Sequence, residues 1–580
     1  MADLFDLEPT HKAAPPRNLA DLRRMILNAT DWSPSKRKAI ASSINSFGKA
    51  VGKILETIPA NPQVIRVLLK GTSAAMAGYE VGSWRNIYSH LGAALDYAGI
   101  VTIATRIKAP PSPAWEALTV QLKATDHLAI LSRFARCCTL KGVEPLDVND
   151  AVMAEYLTDL ELRSLVNDPA RSHRETILCW NKVSAQLDGW PNLILIVPDN
   201  RLYYTPNWST YPASLLKEIE LWLAPPSGLG LFADIGRKTL RPATIESRRT
   251  HLRLYLGALV LKGVEPASMI NLAAVITPEM AELAYNFHHD RAGKKLSCVN
   301  AQIARLVTAI AAHHLQMTGP ALERMRAMTK LLQRPKAGMT ERNKARIRRI
   351  EDEGVKDDLI ELPFELCREV ESASKTVQAS YANHLKFQTA VAIELLLTKA
   401  LRIKNLAALR IGHDLIIRPD GRVLLIIQEK EVKNHTPIET KLTPRFASML
   451  HVYLKDHHHA LGAGGAAGYL FPGKLAGRHK SHDALGSNIN KVLWENIGLD
   501  ATVHFFRHFA GHLIIEDNPA AQVLVQRFLG HNHLSSSEPY IGDGAKAADA
   551  HFAKLIERRR SGLALSSRKS PKGLARKVRI

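Results

Sequence analysis

Cysteine is scarce in this chain. Five residues, Cys137, Cys138, Cys179, Cys298 and Cys367, are scattered over 580 positions, and none belongs to a Cys-x-x-Cys pair. That argues against a disulfide framework and against a zinc site, and it fits a reducing, cytoplasmic compartment. Long apolar runs are missing as well. No stretch approaches the ~20 residues a spanning helix needs. The opening Met1-Ala2-Asp3-Leu4-Phe5-Asp6 lacks the basic region and apolar stretch of a signal peptide. Acidic residues are in short supply: 55 Asp and Glu face 77 Lys and Arg, a formal charge of +22. Such an excess points to a polyanionic partner, with nucleic acid first and a membrane surface second.

What the chain does have is an ordinary globular share of hydrophobic residues, 46%, in a length that calls for three or four domains. Most of the first 335 residues read as helical, as in the three-and-four spacing of Leu128, Leu131, Phe134, Ala135 and Cys138. The hexapeptide Leu140-Lys141-Gly142-Val143-Glu144-Pro145 recurs unchanged at Leu261–Pro266, each time after an apolar-periodic helix. The recurrence implies a duplicated helical module, with a weaker third copy starting near Ser33. Proline–glycine clusters at 109–113 and 224–228 mark boundaries. A basic stretch over 334–358 reads as a linker helix with a solvated face.

Beyond residue 359 the character changes. An apolar helix over 386–401 precedes three strand-like runs: Leu415-Ile416-Ile417, then Val423 to Ile427 after the Pro419-Asp420-Gly421 turn, then Thr436 to Leu442. Helical patterns follow. This is an α+β domain with a small antiparallel sheet. His457-His458-His459, ahead of the glycine-rich 462–468, read as an exposed loop, Tyr453 as core, and His508 as a packing and hydrogen-bonding residue. His504, His508 and His512 share a helix face, but no carboxylate or thiolate stands at a familiar metal-ligand spacing, so neither a metal nor a cofactor is expected.

Phosphodiester transfer without a metal needs a nucleophile, cations on the non-bridging oxygens and a proton donor for the leaving oxygen. Four segments in order offer such a set: Leu397 to Leu406 around Arg402, His504-Phe505-Phe506-Arg507-His508, Leu529-Gly530-His531, and Tyr540 nine residues later. With Tyr469-Leu470-Phe471-Pro472 between the first two, they resemble the tyrosine site-specific recombinase (phage integrase) family over roughly 359–552. The resemblance implies that Arg402 and Arg507 hold the scissile phosphate and that His504 and His531 hydrogen-bond it. Tyr540 attacks to leave a 3′-phosphotyrosine, and a lysine in the turn between two strands is the general acid. Lys433 fits that turn better than Lys430. Two departures stand out: Asn405 replaces the usual acidic residue, and Lys399-Ala400 replaces the usual glycine.

The same resemblance implies the wider organisation. Mainly α, DNA-binding helical domains come first: 1–108, a possible duplicated core-binding-like module at 115–222, and a core-binding (SAM-like) domain at 241–332. The basic linker at 334–358, the catalytic domain at 359–556 and a basic tail at 557–580 follow. Implied partners are double-stranded DNA and other protomers, as a homotetramer or a hetero-assembly with related recombinases, and the implied place is the bacterial nucleoid. Implied activity is integration or excision of a mobile element. A type IB topoisomerase-like nicking and closing enzyme and a catalytically silent accessory protein are the rival readings.

Overall fold

A computed structural model of the chain describes residues 15–103, 110–122, 127–198, 205–224, 240–333, 339–351, 353–374, 380–433, 436–462, 468–475, 477–518 and 520–530. Met1–Pro198 together with Gly338–Ile580 form one compact unit, and Asp199–Ala337 another. Among the described residues the chain is mainly helical with one small sheet, as the composition pattern implies. No described helix is long and apolar enough to cross a membrane.

The first four helices are α1 (Leu19–Leu27), α2 (Pro34–Ala50), α3 (Pro62–Gly71) and α4 (Val81–Tyr97). They close over Leu22, Ile44, Phe47, Ile65 and Leu91. The next four are α5 (Pro113–Gln121), α6 (Leu128–Leu140), α7 (Asp150–Leu162) and α8 (Pro169–Ser184). Their core is aromatic: Phe134 meets Tyr156 at 5.0 Å and Trp180 meets Trp190 at 5.2 Å between ring centroids, edge to face. In the second unit α9 (Ala213–Leu223), α10 (Pro242–Leu261), α11 (Leu272–Val275), α12 (Pro278–Arg291), α13 (Cys298–His313) and α14 (Gly319–Leu331) enclose Leu252, Tyr255, Tyr285, Val307 and Ile310.

The repeated hexapeptide has a structural meaning. At its first copy α6 ends with Gly142 at φ 67°, and the Val143 and Gly142 amides return to the carbonyls of Cys138 and Thr139. At its second copy α10 ends with Gly263 at φ 91°, and Val264 and Gly263 return to Leu259 and Val260. This paired return is a left-handed helix cap that glycine adopts without a Cβ penalty. A 3₁₀ turn on the proline follows in both, and then an asparagine, Asn149 or Asn271, whose side chain caps the next helix. The first module repeats the scheme with Gly52 at φ 65°, the 3₁₀ turn Leu55–Thr57 and the cap Asn61. Three successive modules thus share one helix–turn–helix grammar, including the weaker copy.

The chain's prolines serve a related purpose. Six described helices begin with a cap residue whose side chain accepts a backbone N–H, followed at once by proline: Ser33, Asn61, Ser112, Asp168, Thr277 and Thr443. The cap fills one orphan N–H, and proline lacks the N–H that would be the next orphan.

Arg66 and Leu165 help join the first module to the middle one. Arg66 donates to the carbonyls of Leu160, Glu161 and Ser164 at the end of α7, at 3.0, 2.9 and 2.7 Å. Leu165, one residue on, is buried in the first module's own core.

The last domain is built on α17 (Tyr381–Lys399), apolar nearly all round because it is covered on every side: Phe387, Ala390, Val391, Ile393, Leu395 and Leu396 are all buried. Before it come α15 (Glu341–Ile350) and α16 (Glu353–Ser374); after it, α18 (Ile403–Ala407). Strands β1 (Leu415–Ile417), β2 (Val423–Ile427) and β3 (Ile438–Lys441) pair antiparallel in that order, Leu425 opposite both Leu415 and Thr440. Gly421, at φ 80°, turns β1 into β2. The remaining helices are α19 (Pro444–Val452), α20 (His482–Ile497), α21 (Phe505–Asp517) and α22 (Gln522–Leu529). α20 ends at Gly498, at φ 64°, where a Cβ would lie within 3.0 Å of Ser73, Met76 and Arg349, so the first module and α15 pack closely there.

Two sequence expectations need correction. α15 does not present a simple solvated basic face: Ile347 and Ile350 are buried, Arg342 pairs with Asp500, and Arg346 donates to the Asp500 carbonyl. Nor are the three histidines an exposed loop. α19 runs on into a π-helical turn, Tyr453–His457, and the spacing of four puts His457 on the buried face with Tyr453. There it stacks on Phe387 at 4.3 Å and hydrogen-bonds His384. Tyr453 is core, as expected, and its hydroxyl donates to the Leu470 carbonyl.

Glu394 lies on the buried face of α17, where burial lifts its carboxyl to about 7. A carboxyl raised above its unfolded value is neutral and unpenalised at low pH, and loses stability as pH climbs through the folded value. Glu394→Gln should therefore leave stability near pH 4 almost unchanged and raise it at pH 8.5, by up to roughly 3 kcal/mol. Denaturant unfolding at the two pH values checks this.

Candidate functional site

Three separate segments of the last domain meet at one small cleft. The end of α17 and start of α18 bring Lys399, Arg402 and Asn405. The connection from β2 to β3 brings Val432 and Thr436. α21 and the end of α22 bring Arg507 and Phe528 to Gly530. None of the described residues lining the cleft is Asp or Glu, whereas Lys399, Arg402, Arg507 and Arg527 all line it. A concave surface of that composition is a seat for an anion.

Arg507 is 4% exposed, and its guanidinium faces two ways. One nitrogen donates to the Ala400 carbonyl at 3.0 Å, the other to the Leu529 carbonyl at 2.8 Å. Its planar fork holds the segment of Arg402 and the segment of Leu529-Gly530 to the same helix. Arg402 is half-buried and stands immediately before α18. His504 stands immediately before α21. The residue as a whole is exposed, yet its imidazole is pushed below the ordinary range, first by desolvation of the ring and then by the positive charges of Arg507 and Arg402. The two arginines and the histidine that the sequence singles out are thus electrostatic neighbours. His508 is buried against the site from behind, with its ring nitrogen bonded to Asn343 of α15 at 3.0 Å.

The departure at Asn405 has a local reason. Its side-chain amide donates to the Glu431 carbonyl at 3.1 Å, a bond an ionised carboxylate could not make. Arg410 fixes the same segment through the Glu431 carboxylate at 2.7 Å while paired with Asp414. Together they anchor the connection between β2 and β3. Lys433 sits on that connection, exposed, between Val432 and the Thr436 wall of the cleft. Lys430 is exposed on the preceding 3₁₀ turn, Glu429–Glu431. Neither lysine lines the cleft. His531 and Tyr540 lie outside the described residues.

Lys399 is a lining residue that sequence reasoning treated only as a missing glycine. Its ammonium donates to the Phe528 carbonyl at 3.0 Å and lies 4.5 Å from the centre of the Phe528 ring. Burial first, then the charge of Arg507, lowers its pKa. Among the described residues, no three His, Cys, Asp or Glu side chains gather to hold a metal ion.

Desolvation first, and then the charges of Arg507 and Arg402, favour the neutral form of His504. Its ring resonances should titrate with a midpoint below the ordinary ~6.5. Arg402→Gln, which removes one of the two repelling charges, should move that midpoint upward; a histidine NMR titration in the full-length protein reads both.

Residues 368–545 match the phage integrase family. A search of curated proteins gives no match. Solved structures similar to this chain include XerA recombinase, 15% identical over 55% of this chain and 93% of that one, with a TM-score of 0.25. They also include XerH site-specific recombinase bound to its difH substrate in a pre-cleavage complex, 14% identical over 58% of this chain and 98% of that one, with a TM-score of 0.26.

Proposed function

From the match of residues 368–545 to the phage integrase family, we propose that this protein is a tyrosine site-specific recombinase acting on double-stranded DNA. The observation that carries the reading is the cleft itself: Arg402 and Arg507 at an anion seat with no carboxylate among its described lining residues, beside a histidine whose pKa is lowered. Arg402 and Arg507 clamp the non-bridging oxygens of the scissile phosphate, with charge-assisted bonds. The Tyr540 oxygen attacks phosphorus and the bond to the 5′ oxygen breaks. The tyrosine proton passes to His504. The leaving 5′ oxygen takes a proton from Lys433, and His531 adds a further hydrogen bond to the phosphate. The phosphotyrosine conserves the bond energy for rejoining, so no cofactor is called for. Protomers assemble on two DNA sites, as four copies or with related recombinases, to integrate or excise a mobile element. The compartment is the cytoplasm, on the nucleoid.

The three modules divide the labour. Residues 15–103 carry eleven Lys and Arg against five Asp and Glu, and residues 205–333 carry fifteen against nine. The middle copy, 110–198, reverses the balance, with eight against eleven. At the shared glycine turn, Lys141 of the middle copy is neutralised by Glu155 and Asp159, at 3.2 and 2.7 Å. In the first module Lys49 and Lys53 are exposed, and with Arg23 and Arg24 line a cleft whose lining has one carboxylate, Glu56. The outer modules contact phosphate and the middle one meets protein.

Incubation with nicked suicide DNA should trap a covalent adduct that Tyr540→Phe abolishes. Loss of cleavage in Lys433→Ala but not Lys430→Ala assigns the acid; the reverse pattern moves it to Lys430. An adduct that persists in Tyr540→Phe, or none on any DNA recovered with the protein, defeats the proposal.

Replacing Lys49 and Lys53 together with Glu should weaken DNA binding and flatten its salt dependence by roughly 2 in log–log slope, about one per lost phosphate contact. Lys182→Glu, on the middle module, should leave both unchanged. Equal effects from the two changes would refute the division of labour.

A further inference from the structure

α22 ends in the cleft, and its end is finished in an unusual way. The last carbonyls of a helix have no partner within it. Here Gly530 turns the chain at φ 63°, and its N–H returns to the carbonyls of Gln526 and Arg527. The next two carbonyls in line take side-chain cations from elsewhere in the fold: Phe528 receives Lys399 and Leu529 receives Arg507. Cations suit this position, since a helix carries partial negative charge at its C-terminus.

Lys399 is an expensive residue to place there. Its ammonium is withdrawn from water and set beside the Arg507 guanidinium, and both effects penalise its charge. An apolar side chain would fill the space without that cost but would leave the Phe528 carbonyl unanswered. Lys399 also ends α17, one residue before the Ala400 carbonyl that receives the other arm of Arg507. A closed circuit results: α17 holds the end of α22 through Lys399, α21 holds the same end through Arg507, and Arg507 holds the end of α17. Arg402 lies within the circuit at one side. Gly530 lines the cleft at the other.

We propose that Lys399 is a positioning residue for the reaction: with Arg507 it forms a two-cation cap on α22 that sets where Gly530 stands at the cleft. The inference rests on the recombinase reading for its consequence, but the cap itself does not. Lys399 makes no bond to substrate. It acts through the backbone of α22.

The test uses full-length Lys399→Met, Lys399→Gln and Lys399→Arg proteins. In the absence of DNA, amide hydrogen exchange over residues 522–530 should quicken in Lys399→Met, with residues 387–396 of α17 unchanged. On suicide DNA, single-turnover adduct formation by Lys399→Met should slow roughly ten- to hundredfold, the scale of an ångström-level misplacement, at unchanged DNA affinity. Lys399→Arg, which can still reach a carbonyl with a cation, should stay within about threefold of the parent, and Lys399→Gln should fall between. Should Lys399→Met fail to fold, the order of the Gln and Arg proteins decides. Exchange over 522–530 equal to the parent's, or cleavage by Lys399→Met and Lys399→Gln at the parental rate, overturns the proposal. A parent that forms no adduct defeats the recombinase reading instead, and the exchange experiment still judges the cap.

Discussion

The guanidinium of Arg507 is nearly cut off from water, and its two ends donate to carbonyls more than a hundred residues apart in sequence, on Ala400 and Leu529. A buried charge is tolerated only where its hydrogens are well received. Both of these bonds go to main-chain oxygens, so they place a requirement on the path of the backbone. The end of α17 must meet two elements far along the chain, the first turn of α21 and the end of α22, for both of these bonds to form. The cleft is what lies between them. Its positive character is therefore a by-product of the same group that assembles it, and that charge adds to desolvation in lowering the pKa of His504.

Much of this is legible in the sequence, for definite reasons. β1 and β2 are short β-branched and leucine runs flanking Pro419-Asp420-Gly421, a turn that admits few alternatives. Arg402, His504 and Arg507 stand in ordered segments, and the fold brings them into one electrostatic neighbourhood. What joins them is not legible, because a carbonyl oxygen has no signature in a sequence: every residue carries one. Lys399 is hidden for the same reason, since its burial is decided by Phe528, distant in sequence. Asn405 reads as a defect until the Glu431 carbonyl is seen to need a donor. His457 reads as loop because three histidines before a glycine-rich stretch look polar, and only the spacing of four from Tyr453 hints at the buried face.

The three modules carry a complementary lesson. A hexapeptide identity at two sites looks like a trace of sequence history, but its residues are those a helix needs to stop, turn left-handed through glycine and start again. The first module keeps the turn, the 3₁₀ segment and the capping asparagine while keeping little of the wording. Backbone demands are preserved where surface charge is free to drift, and here it has drifted far enough to change sign in the middle copy.

Arg66 gives that arrangement a direction in time. The carbonyls it satisfies lie 94, 95 and 98 residues further along the chain, and Leu165, next to them, completes the core around α1 to α4. During synthesis the first module emerges with that arginine unanswered and that core one side chain short. At ~5–20 residues per second, several seconds pass before α7 and the residues after it leave the ribosome. The first two modules are therefore made in sequence but finish as a pair.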